Sequence, residues 1–203
     1  CLHSEGLAHR DIKPGNIMID IESWNSENPE DKKKILARLI DWDLTQDANQ
    51  LSEESFPPGT PYFFSPELFL GLIGQKVELD LKKADMFAFG VVLYSLCGGG
   101  WMDFNDGMNH AEMYQTAYLR SDEASKDMQL KGSQEIKESK KKKEGYLKLL
   151  ISELLNPEPE FRITATEAYD FITLYCMGAH AGGAPSGEKP PGEKPPGEKP
   201  PGE

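Results

Sequence analysis

"HRDIKPGN", His9 to Asn16, sets Asp11, Lys13 and Asn16 in a loop broken by Pro14 and Gly15. Taken alone, polar residues around a Pro-Gly pair are ordinary turn chemistry. Their surroundings argue for more. Two short apolar runs follow, Ile17-Met18-Ile19 and Ile35 to Ile40, and both read as strands. Between them lies the polar loop "ESWNSENPEDKKK", with Asn28 and Pro29 as turn signals. The second run stops at Asp41-Trp42-Asp43, an aromatic between two carboxylates.

Further blocks follow in order: "GTPYFFSPE" (Gly59 to Glu67), "ADMFAFG" (Ala84 to Gly90) and "LLNPEPEFRITATEA", which contains Arg162. The first stretch resembles the catalytic loop of protein kinases. The others resemble the end of the activation segment, the start of the central helix of the C-lobe, and the closing region that supplies an arginine. Four motifs in this order make a specific signal, unlike one short pattern.

The resemblance implies roles for named residues. Phosphoryl transfer passes through a loose transition state, so the protein mainly positions groups and neutralises charge. Asp11 would orient a substrate hydroxyl and accept its proton, and Lys13 would place a positive charge near the γ-phosphate of ATP. Asn16 and Asp41, brought together by the hairpin, would give Mg²⁺ the oxygen ligands that a hard cation prefers. Met18 would pack beneath the adenine ring, a core methionine being the plain alternative. Lys13 and Thr60 match the serine/threonine-specific pattern, so the implied partner is a protein bearing a Ser or Thr hydroxyl. Asp85 should hold the catalytic loop from beneath, His9 and Trp42 should stack, and Glu67 should pair with Arg162.

Arg10 raises a question of regulation. A cation beside the catalytic aspartate commonly awaits a phosphate on the activation segment. Ser52, Ser55 and Thr45 are candidates for it. Glu53 and Glu54 would partly take its place, solvated loop residues being the plain alternative.

Two departures mark the chain. The triplet at Asp41 is Asp-Trp-Asp where the family has Asp-Phe-Gly, so Asp43 stands where glycine's backbone freedom is expected. No Gly-rich loop, strand lysine or helix glutamate precedes the first block. Read so, the chain is a C-lobe without its N-lobe, expected to bind nucleotide poorly and transfer little phosphate by itself. The alternative is a pseudokinase or scaffold, with the C-lobe serving as a protein-interaction module.

Composition bounds the rest. The chain has 203 residues, 38% hydrophobic and 28% charged, which suits one soluble domain. A net charge of -12 argues against nucleic acid or an anionic membrane as the main partner. Cys1, Cys97 and Cys176 lack metal-ligand spacing and read as reduced thiols of an intracellular, cytoplasmic protein. No apolar run is long enough to cross a bilayer. Oligomeric state is not legible.

The expected fold class is mainly α: a protein-kinase-like C-lobe, helical, with a short β-hairpin at the catalytic site. "ADMFAFGVVLYSL" reads as a buried central helix, and "GYLKLLISELL" as a helix ending at Asn156-Pro157. "TATEAYDFITLY" reads as a helix capped by Thr164 with Glu167 three residues on. The polar stretch from Ser121 to Glu144 reads as a solvated loop leading into a helix. Residues 1–177 would form the partial kinase domain. Residues 178–203, with GEKPP repeats, would be a disordered Gly/Pro-rich tail.

Overall fold

The computed structural model describes residues 2–20, 27, 37–48, 57–75, 79–100, 107–138 and 142–176. The expected tail, the boundary at 177 and nearly all of the loop at 21–34 lie outside the described residues. Ser52, Ser55, Glu53 and Glu54 lie outside them too.

The described chain is mainly helical, with four short strands: β1 (Leu7–Ala8), β2 (Ile17–Ile19), β3 (Ala37–Leu39) and β4 (Gln46–Asp47). The expected hairpin is present. β2 and β3 pair antiparallel, with Ile17 opposite Leu39, Met18 opposite Arg38 and Ile19 opposite Ala37. A second ladder, β1 with β4, was not anticipated; two-residue strands carry no readable alternation.

Five α-helices carry the core: α1 (Pro66–Leu72), α2 (Leu81–Leu96), α3 (His110–Lys137), α4 (Lys142–Leu154) and α5 (Ala165–Phe171). α2 is the expected central helix. Asp80 caps it, its carboxylate accepting from the amides of Lys82 and Lys83. Phe87 and Val91 join α1, α3 and α4 in one apolar cluster, while Met86 meets Leu150, Leu154 and Phe171 in another. Burial on several sides holds only for the first three turns, since Leu96 is exposed.

The expected loop at Ser121–Glu144 is corrected: most of it is helix, within α3 and the start of α4. A capping box of Asn109 and Glu112 starts α3. Ala117, Ser121, Ala124, Met128 and Gly132 form a buried stripe spaced by three or four residues. The solvent face is laced by Asp122–Lys126 and Asp127–Lys131 pairs at i, i+4. Small side chains hid this stripe from a reading tuned to large apolar ones. They also let α3 and α4 approach closely. A Cβ on Gly132 would lie 2.7 Å from the carbonyl oxygen of Gly145.

Thr164 and Glu167 form the expected capping box of α5. The α-helix ends sooner than expected, at Phe171, and widens into a π turn at Ile172–Cys176. Tyr175 there packs against Tyr146 and Phe171, with ring centroids 4.8 and 4.9 Å away. Among the described residues, no helix is long and apolar enough to cross a membrane.

Candidate active site

The loop from His9 to Asn16 is fastened from below by Asp85 of α2, a buried carboxylate. One oxygen accepts the His9 amide at 2.7 Å, and the other accepts the Arg10 amide at 2.8 Å. The His3 ring nitrogen Nε2 lies 2.9 Å from Asp85 Oδ2. This anchoring matches the role expected of Asp85.

His9 joins the loop to the end of the hairpin. The Asp11 amide donates to His9 Nδ1 at 3.3 Å, so the ring proton resides on Nε2 and is donated to Ile40 O at 3.1 Å. The Ile40 amide in turn donates to Asn16 O at 2.9 Å. These bonds hold the chain just before Asp41 between the two ends of the loop. His9 and Trp42 do meet, with centroids 5.3 Å apart, but edge to face, and Trp42 is half exposed.

Asp11 is the hub. Its Oδ2 accepts from Lys13 Nζ at 2.6 Å and from Asn16 Nδ2 at 3.0 Å. Its Oδ1 accepts the Thr60 hydroxyl at 2.7 Å, and Thr60 Oγ1 accepts from Lys13 Nζ at 3.0 Å. Burial pushes the Asp11 carboxyl up. The bonds from Lys13 and Thr60, the charge of Lys13 and the bond from Asn16 together outweigh this and hold it below its ordinary value. The carboxylate is therefore ionised at neutral pH.

Thr60, read from sequence only as a mark of substrate class, is thus a direct partner of Asp11. Its neighbour Gly59 makes this approach possible. Gly59 has φ +128°, and a Cβ there would lie 2.6 Å from the Arg10 carbonyl oxygen. The spacing of Thr60 from Asp11, 49 residues, gave no local signal.

Asn16 is buried, and its amide nitrogen also donates to Asp11 O at 2.8 Å. With the nitrogen turned toward Asp11, the amide oxygen is the atom suited to a cation. That oxygen and the exposed carboxylate of Asp41 are hard donors, and this donor chemistry fits magnesium. Met18 is 58% exposed, so it is not the core methionine that was the alternative. Of the Asp41-Trp42-Asp43 triplet, it is Asp41, with φ 66°, that occupies the left-handed region; Asp43 does not. The expected demand for glycine-like angles at position 43 is therefore not met.

The Glu67–Arg162 pair completes the frame. The two side chains bond as a fork, at 2.7 and 3.1 Å, and both are buried. The guanidinium also lies over the Phe87 ring, 4.9 Å from its centroid.

A family profile, "Protein kinase domain", matches residues 1–171. The chain belongs to the protein kinase family. Curated relatives agree with this assignment. CBL-interacting protein kinase 22 of Oryza sativa subsp. japonica is 31% identical over 175 residues, covering 83% of this chain and 31% of that protein. MAP kinase-activated protein kinase 2 of Oryctolagus cuniculus is 29% identical over 167 residues, covering 82% and 39%. Serine/threonine-protein kinase Nek1 of Toxoplasma gondii is 40% identical over 93 residues, covering 46% and 5%. The chain thus spans well under half the length of these kinases.

Proposed function

We propose that this chain carries the catalytic loop of a serine/threonine protein kinase, acting on a protein partner inside the cell. The observation that carries the reading is the convergence of Lys13, Thr60 and Asn16 on an ionised Asp11. An ionised carboxylate accepts a hydrogen bond from an incoming Ser or Thr hydroxyl and so aims its oxygen. Because the carboxyl is a weak base, orientation comes first, and the proton passes to Asp11 as the hydroxyl loses its basicity. The hydroxyl approaches Oδ1, which Thr60 alone of these groups occupies, while Lys13 and Asn16 secure Oδ2. Lys13 adds positive charge where the transferred group would be negative.

Mg²⁺–ATP, when bound, supplies the phosphoryl group and neutralises its charge. Asn16 and Asp41 are the residues that would hold the metal, and Met18 lies on the strand that would underlie the adenine. Residues 1–177 would form the C-lobe, and 178–203 a separate segment.

The test is phosphate transfer from labelled ATP to Ser/Thr peptides by the protein expressed from its full coding sequence. Asp11→Asn should lower kcat at least 100-fold. Equal rates in the two proteins would overturn the reading. Asp43, a second carboxylate two residues from Asp41, is the feature on which a second reading, a protein-interaction module, rests. That reading is supported if the full-length protein binds no Mg²⁺–ATP and transfers no phosphate.

A further inference from the structure

We infer that Gln46 is a positioning residue for the catalytic loop, a neutral clasp on Arg10 that removes the loop's need for a regulatory phosphate. The inference rests on the kinase reading proposed above. Arg10 precedes Asp11 and takes φ 71°, a region that side-chain-bearing residues seldom enter. Such a conformation persists where its surroundings hold it. The backbone is held by Asp85, whose Oδ1 accepts the Arg10 amide. The side chain is held by Gln46: Arg10 Nη1 donates to Gln46 Oε1.

The fold builds this contact. β1 runs into the catalytic loop and pairs with β4, so that Ala8 stands opposite Gln46 and Leu7 opposite Asp47. The Ala48 amide extends the ladder by donating to Gly6 O at 2.8 Å. At the other end, the Thr45 amide donates to Trp42 O at 3.0 Å, which ties β4 to the turn that follows Asp41. Gln46 is thereby fixed beside the loop by backbone bonds, and its side chain joins the Asp11 side of the site to the Asp41 side.

The chemistry of the clasp decides its consequence. A guanidinium that waits for a phosphate is engaged or released as that group is added or removed. An amide carbonyl is always present, and no phosphatase removes it. Order in the loop is then a built-in property of the chain. Gln46→Lys would oppose two cations and break the clasp, whereas Gln46→Glu keeps an acceptor in place.

Two measurements test this. In the chain as it stands, ¹H–¹⁵N spectra should show a slowly exchanging Arg10 guanidinium N–H. Gln46→Lys should abolish it and shift the His9 and Arg10 amides, and Gln46→Glu should retain it. Fast exchange in the wild-type chain overturns the clasp, whatever the kinase activity. In the full-length protein, phosphatase treatment should leave the transfer rate within twofold. Gln46→Lys should lower kcat at least tenfold with peptide KM within twofold, and Gln46→Glu should restore it. A rate that collapses on phosphatase treatment, or a Gln46→Lys rate equal to wild type, overturns the inference. If wild type transfers no phosphate at all, the kinase reading fails instead, and the spectra alone judge the clasp.

Discussion

Burial alone would push the Asp11 carboxyl up, yet Lys13, Thr60 and Asn16 bring it below its ordinary 3.8. A carboxyl lowered on folding contributes stability that is present above its unfolded value. That contribution is lost as pH falls through the lower, folded value. The stability of wild type relative to Asp11→Asn should therefore be constant above about pH 5 and shrink as pH falls below 3.8. Urea unfolding at several pH values between 2 and 6 checks this, and a difference that stays flat throughout would contradict it. The spacing of Asp11, Lys13 and Asn16 made their grouping legible, because a short loop cannot separate them. Thr60 was legible only as a motif letter. Its bond to Asp11 depends on a close backbone approach at Gly59, which local sequence does not encode.

At the scale of elements, helices with large apolar stripes were readable and α3 was not. Its buried face is made of Ala117, Ser121, Ala124 and Gly132, small residues that score as weakly apolar or neutral, with the larger Met128 among them. The reason for small residues appears only when α4 is beside it. Gly132→Ala removes a helix-weakening glycine, which by propensity alone should stabilise α3 by about 1 kcal/mol. The new methyl would meet Gly145 O at 2.7 Å, well inside contact, and backbone gives way poorly. The clash should win, with a net loss of about 1–3 kcal/mol, as for overpacked sites. Thermal unfolding of Gly132→Ala decides between the two effects, since a raised Tm would mean that the helices separate freely. The β1–β4 ladder was hidden for a different reason. A two-residue strand has no period, and its pairing is set by the loops around it.

At the scale of the whole molecule, the fold is closed by a pair that sequence order did reveal. Glu67 begins α1 behind the Thr60 segment, and Arg162, 95 residues on, precedes α5. Besides the two bonds to Glu67, the guanidinium donates to the carbonyls of Asn156, Lys83 and Pro157. One side chain thus fastens α1, α2 and the turn after α4. Arg162→Ala leaves Glu67 buried without its partner, a change that costs about 3–5 kcal/mol. Arg162→Lys should recover little, because an ammonium cannot present the fork or reach the three carbonyls together. Replacing both charges, as in Glu67→Gln with Arg162→Met, should lose less than Arg162→Ala, since no buried charge is then stranded. Urea unfolding of the three variants gives the order directly. If Arg162→Ala unfolds at the wild-type urea concentration, the pair is not what pins the segment carrying Thr60 to the helical core.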